Sequence, residues 1–216
     1  KETGLELVRQ IYPKLGMTPG ILLAPGWSEN AVVCAALQAK TEDINGCFKC
    51  CTYVDISSCS SGATVYTEVK GAKEAMGASG AHTAAFWPKA AIGDKVYCMS
   101  AMAAALTAYN DASNADVPYE SPSNKDLRIT GTVLEDGTEV LLDQQQASDV
   151  LNANGVITAI NANGFKLWGN NTAAYPSTTD PKDRWLAVRR FFDWDGNNFI
   201  LTYIQKVDKP GNKRLI

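Results

Sequence analysis

Gly20-Ile21-Leu22-Leu23-Ala24-Pro25-Gly26-Trp27-Ser28-Glu29-Asn30 is the stretch on which the fold turns. A short apolar run held between glycine and proline breakers reads as a buried strand. Ser28, just beyond Gly26, is placed to accept a bond from a free N–H and so to cap a helix over about Glu29 to Lys40. Strand, tight turn and helix together make the first half of a βαβ unit.

Working outward, the same alternation continues. Thr3-Gly4-Leu5-Glu6 has capping-box spacing and predicts a short helix to about Tyr12. Cys47 to Ile56 reads as a second strand and Ser61 to about Ala75 as a second helix. Short strands follow near Thr83 to Trp87 and Asp94 to Cys98, then an alanine-rich helix from Met99 to about Asn110, able to pack close to a sheet. Strands alternating with helices at this spacing predict an α/β fold with a largely parallel sheet flanked by helices.

The second half changes character. Asn114 to Asp126 is polar, holds Pro118 and Pro122, and reads as a long loop of the kind that is functional or lies at an interface. Asp136-Gly137 and Asn163-Gly164 are hairpin signals, the first between Ile129–Leu134 and Glu139–Leu142, the second between Val156–Ile160 and Phe165–Trp168. Between them, Asp143 with Gln146 three residues on caps a helix that ends at Gly155. A helical pattern from Asp180 carries Trp185, Val188, Arg189, Arg190 and Phe192 and is expected to break near Asp195-Gly196. Phe199 to Val207 is a further amphipathic stretch before a basic tail with Lys213-Arg214. The fold class is therefore α/β with a hairpin-rich second half and C-terminal helices.

At 216 residues, 45% hydrophobic and 20% charged, the chain can bury a sizeable core without metal or disulfide support. A net charge of -3 gives no strong field toward nucleic acid or an anionic membrane. No apolar run approaches the roughly 20 residues that span a bilayer. Lys1-Glu2-Thr3-Gly4 does not read as a signal peptide. The absence of an initiator Met reads as a piece of a longer polypeptide or a trimmed one. Six cysteines (Cys34, Cys47, Cys50, Cys51, Cys59 and Cys98) sit mostly in apolar stretches and read as buried, reduced thiols of a cytosolic compartment.

Each chemical motif lacks a second requirement. Ser28, Asp55 and His82 stand in the chain order of an α/β-hydrolase triad, but Asn30 replaces the second glycine of the elbow. Cys47-Phe48-Lys49-Cys50 lies in or just before a strand, not at the helix start that activates a redox thiol, and no second Cys/His pair completes a zinc set. Asp193-Trp194-Asp195-Gly196-Asn197 lacks the bidentate glutamate of a calcium loop and reads as a helix-ending turn. Gly71, Gly77 and Gly80 have the wrong spacing for a nucleotide fingerprint. Arg189-Arg190 reads by default as a solvated face, and His82, the one histidine, as structural. These residues imply no catalytic, metal or cofactor site; a serine hydrolase with Ser28 and His82 as its pair, and a dinucleotide- or phosphate-binding module using the Gly71 to Gly80 region, remain as the competing readings.

Six segments, in order, resemble contractile-tail sheath proteins. They are Pro19–Ser28, Thr52–Ile56, the loop Pro118-Tyr119-Glu120-Ser121-Pro122-Ser123-Asn124-Lys125, Gly155–Thr158, Leu167–Thr172 and Trp185–Arg190. The loop, close to a "P--SPSN" pattern, is the most specific of them. Asn171 departs from the family pattern, which often has Arg there.

The resemblance implies a subtilisin-like α/β domain without the protease's catalytic residues, spanning 1–175, and the beginning of a C-terminal domain over 176–216. It implies a structural subunit that forms homohexameric rings, stacked helically around a tail tube protein, with baseplate and tail terminator proteins as further partners and neither nucleic acid nor membrane. The implied location is a virion tail assembled in a bacterial cytoplasm. Subunit contacts are expected at Pro118, Tyr119, Glu120, Ser121, Pro122, Ser123, Asn124, Lys125, Arg189 and Arg190. Family regions beyond both ends carry much of the linking machinery, so residues 1–216 alone are expected to be monomeric.

Overall fold

A computed structural model describes residues 3–209. In chain order its strands are β1 (Ile21–Leu23), β2 (Cys51–Asp55), β3 (Thr83–Phe86), β4 (Lys89–Ile92), β5 (Lys95–Tyr97), β6 (Gly131–Val133), β7 (Val156–Asn161) and β8 (Phe165–Trp168). Its α-helices are α1 (Ile11–Leu15), α2 (Ala31–Ala39), α3 (Val69–Ala75), α4 (Met99–Ser113), α5 (Pro181–Arg184) and α6 (Leu186–Tyr203).

Every residue of β2 is buried, as a central parallel strand requires. The main sheet has the order β1-β2-β3-β7-β8, parallel except for β8. Side chains alternate between its faces. Cys51, Tyr53, Ala84, Phe86 and Ile157 face a cluster with Met99 and Ala103 of α4 and Leu186 of α6. Val54, Ala85 and Val156 face the other cluster, with Cys34 and Leu37 of α2 and Val69 of α3. The result is three layers, helix on sheet on helix. Alanines let α4 lie close, and Tyr53 places its hydroxyl 3.3 Å from that of Thr107. The mixed α/β reading with a mostly parallel sheet holds.

The expectation missed β4. Lys89-Ala90-Ala91-Ile92 lacks the β-branched alternation of a strand, yet it pairs antiparallel with β5 and with β6 in a separate three-stranded sheet. Around Asp136-Gly137 the hairpin shrinks to β6 and a single bridge, Val133 to Glu139. The Asn163-Gly164 hairpin forms as expected, with positive φ at both residues.

Local caps decide the other differences. Thr3 makes no capping bond, and Glu6 instead pairs with Lys40 at 2.5 Å. Asp143 and Gln146 do form the reciprocal box: Gln146 N–H donates to Asp143 Oδ1 at 2.7 Å, and Asp143 N–H to Gln146 Oε1 at 3.1 Å. The box opens onto a π-helical turn, Gln146–Leu151, and then a 3-10 turn, Asn152–Asn154. Helix α6 runs through Asp195-Gly196 where a break was expected. Gly196 costs a helix about 1 kcal/mol, but Asn197 holds the next turn down. Its side chain accepts from Lys49 N–H at 2.9 Å and donates to Lys49 O at 2.7 Å. The basic pair Lys213-Arg214 lies outside the described residues.

Gly155 stops the 3-10 turn with φ +68°, and a Cβ there would stand 2.5 Å from Tyr175 O and 2.6 Å from Thr172 O. Gly155→Ala is expected to lower stability by about 2–4 kcal/mol from backbone strain plus overpacking, readable in urea unfolding. The same junction is held by buried Lys73, whose Nζ donates to Asn154 O at 2.7 Å and Tyr175 O at 3.2 Å. Burial brings its pKa down from 10.5 to about 8. Between those values the unfolded chain binds the extra proton, so Lys73's contribution to stability rises with pH across that window. The stability difference between the native chain and Lys73→Met, followed from pH 7.5 to 10.5, should carry that upward slope; a flat difference would refute it.

Candidate functional site

The carboxyl ends of parallel strands are where α/β folds place their chemistry, in the crevice where strand order reverses. Here β1, β2, β3 and β7 follow one another without reversal. Asp55 ends β2, and its carboxylate accepts from Ser100 N–H at 2.9 Å and from Ser100 Oγ at 2.5 Å. Cys98 precedes the first turn of α4 and makes no side-chain cap, so Asp55 caps that helix from another element. Ser28 Oγ receives Asp55 N–H at 3.0 Å and lies 3.4 Å from Asp55 Oδ2. Burial raises the Asp55 pKa, opposed by the bonds from Ser100. Buried Lys89 pairs with half-buried Glu29 nearby at 2.5 Å.

Ser28 therefore does not cap α2. Asn30 does, accepting from Val32 N–H at 2.9 Å. Nor does Ser28 meet His82. The histidine sits at the amino end of β3, where its O accepts from Thr52 N–H, so it stands beside Cys51 and four residues back from Asp55. That is about 13 Å along the strands. His82 Nδ1 instead bonds Asp193 Oδ2 of α6 at 2.8 Å. The triad Ser28, Asp55 and His82 is not assembled, which overturns the hydrolase pairing. The glycine region fares likewise as a phosphate cradle: the N–H groups of Ser79 and Gly80 are taken by Gln38 Oε1 at 3.1 and 2.9 Å.

The cysteines are free. Cys47 and Cys50 lie just ahead of β2, and burial pushes the Cys50 thiol up to about 12. No described helix is long and apolar enough to cross a membrane.

The loop Pro118–Lys125 is tied at both ends. Asn110 Nδ2 donates to Glu120 O at 3.1 Å, and Lys125 pairs with Glu120. Asn124 N–H donates to Leu167 O at 2.7 Å, Leu167 N–H to Lys125 O at 3.1 Å, and Leu127 N–H to Phe165 O at 2.8 Å. The stretch after the loop thus lies on the outer edge of β8 and satisfies it. Tyr119 projects outward, 60% exposed.

Arg189 and Arg190 are not on a solvated face. Both are buried; Arg189 pairs with Asp183, and Arg190 pairs with Asp111 of α4. Two arginines on the inner side of a helix need carboxylates opposite them; Asp183 supplies one from just before the helix and Asp111 the other from α4, positions that helical spacing alone does not reveal. Sequence reading also missed Asn170. Its Oδ1 accepts from Ala187 N–H at 3.1 Å and its O from Leu186 N–H at 2.7 Å, so it caps α6. Asn171 joins the same junction, accepting from Arg184 Nε at 3.1 Å and donating to Asn152 O at 2.7 Å.

No protein-family model matches the chain. A putative prophage major tail sheath protein of Pseudomonas aeruginosa (strain UCBPP-PA14) is 28% identical over 197 residues, covering 88% of this chain and 46% of that protein. The chain is a homologue of a tail sheath protein. In fold it matches the sheath complex of an extracellular contractile injection system (PVC) in its contracted state, with a TM-score of 0.72 at 17% identity over 97% of this chain and 54% of that one. It also matches the contracted helical sheath of the anti-feeding prophage, with a TM-score of 0.68 at 17% identity over 99% of this chain and 56% of that one. The resemblance read from the six segments is thus supported by sequence and by fold. The chain spans about half the length of the relatives it matches.

If Asp55 is a cap and not a catalyst, its loss is paid in stability. Asp55→Ala should lower unfolding free energy by about 1–3 kcal/mol, through the buried donors of Ser100 left unmet; an unchanged urea midpoint would refute the capping role.

Proposed function

We propose that the chain is the central part of a contractile-tail sheath subunit, a structural protein that assembles into hexameric rings stacked around a tail tube. The observation that carries this reading is the 28% identity over 88% of the chain to a prophage tail sheath protein. The fold shared with contracted sheaths supports it. On this reading the main sheet with α2 to α4 is a subtilisin-like domain over 1–175, and 176–216 opens the C-terminal domain. Baseplate, tube and terminator proteins are the expected partners, and a virion tail put together in the host cytoplasm is the expected location.

Contraction, in this proposal, re-packs nearly unchanged subunits as rigid bodies. The internal ties favour that: α4 and α6 are each capped by another element, and Arg190 joins the two helices. Of the residues expected at subunit contacts, Tyr119 and its loop are the part a neighbour can reach. Arg189 and Arg190 act from inside, by fixing the helix beneath.

Electron microscopy of a full-length sheath containing this chain, produced with its tube protein, tests the proposal. Striated tubes or stacked rings are expected, and Tyr119→Asp should reduce their number while leaving the melting temperature of the free subunit unchanged. Monodisperse monomers under several salts, with tube protein present, would overturn it.

A further inference from the structure

The amino ends of β2 and β3 hold a cluster that the sheath reading leaves unused. We propose that Cys51, His82 and Asp193 form a zinc-binding site that clips α6 to the main sheet. All three are buried, and their Sγ, ring-nitrogen and carboxylate atoms lie within 4.8 Å of one another. His82 Nδ1 stands 2.8 Å from Asp193 Oδ2, and Cys51 Sγ stands 3.7 Å from the same oxygen. Around tetrahedral zinc, with bonds of about 2.0–2.3 Å, ligand atoms sit roughly 3.2–3.8 Å apart. The cysteine–aspartate spacing already fits. The histidine–aspartate spacing must open by about 0.5 Å to reach that range, a small side-chain rotation.

The donor set and charge select the ion. One sulfur, one imidazole nitrogen and one carboxylate oxygen suit zinc and exclude the all-oxygen preference of magnesium or calcium. A thiolate and a carboxylate together cancel the ion's two charges. Without an ion, burial and the neighbouring Asp193 carboxylate keep the Cys51 thiol protonated well above its ordinary range; binding would release that proton.

The surroundings match a metal-bound histidine. With Nδ1 on the ion, His82 Nε2 faces Glu42 Oε1 at 3.9 Å, the carboxylate side that second-shell orientation calls for. Asp193 Oδ1 faces Arg189 Nη1 at 3.8 Å and leaves Oδ2 for the ion. Arg190, the cation whose field reaches Cys51, is already paired with Asp111. A cavity of about 520 Å³, lined in part by Cys50, Asp193 and Asn197, reaches one of the three proposed ligands, Asp193.

The 216-residue chain, loaded with zinc sulfate, desalted and assayed by mass spectrometry, should retain about one zinc per chain. Cys51→Ala and Asp193→Asn should retain less than a tenth of that, while Cys59→Ser keeps it in full. Zinc should raise the melting temperature of the native chain by roughly 5–10 °C at a hundredfold excess over Kd, and magnesium should not. Cobalt in place of zinc should give a thiolate charge-transfer band that Cys51→Ala removes. If the Cys51 and Asp193 variants fail to fold, the native chain's cobalt band and zinc content decide alone. Zinc retained equally by Cys51→Ala, or no thiolate band in the native chain, would overturn the site and leave a buried ion pair; neither result bears on the sheath reading.

Discussion

The first turn of a helix carries N–H groups with no partner inside the helix, and a helix that starts against a sheet cannot rely on water to serve them. Two helices start that way here. Asp55, at the end of β2, reaches Ser100 at the start of α4. Asn170, just past β8, reaches Leu186 and Ala187 at the start of α6. Neither cap comes from the residue next to the helix in sequence. Each one instead fixes the helix to a strand, so satisfying the backbone and placing the layer are the same event. This explains why a serine, an aspartate and a second serine gather at the carboxyl end of the sheet: Ser28 holds Asp55, and Asp55 holds α4.

What could be read from sequence was what local chemistry settles. The apolar run at Ile21–Leu23, the box at Asp143 and Gln146, the stop at Gly155 and the turn at Asn163-Gly164 depend on neighbours a few residues away, and all four are present, although β1 is an edge strand in which only Leu22 is buried. What could not be read was decided by distant partners. Ser28 looks like a cap until Asp55 claims its hydroxyl. Gly196 looks like a helix end until Asn197 finds Lys49. Arg190 looks solvated until Asp111 arrives opposite it. Lys89–Ile92 becomes a strand because β5 and β6 flank it, not because its own residues ask for one.

The candidate site was legible in a narrower sense. The Pro118–Lys125 loop stood out by resemblance, but its part in the fold, leading into a segment that covers the outer edge of β8, needed the backbone bonds at Asn124, Lys125 and Leu127. The other resemblance segments have equally physical roles. Leu167–Thr172 carries the cap of α6, and Trp185–Arg190 begins that helix and ties it to α4. Such motifs mark how a body is braced.

One such brace has a mechanical side. Helix α6 is attached at its start by Asn170, then through Arg190 to Asp111, through Asp193 to His82, and through Asn197 to Lys49. These ties are spread along its length and reach both the helix above and the strand ends below. A pull along the axis of α6 loads them together, whereas a pull at right angles would open them one after another. The same set of bonds therefore makes the element stiff in one direction and peelable in the other.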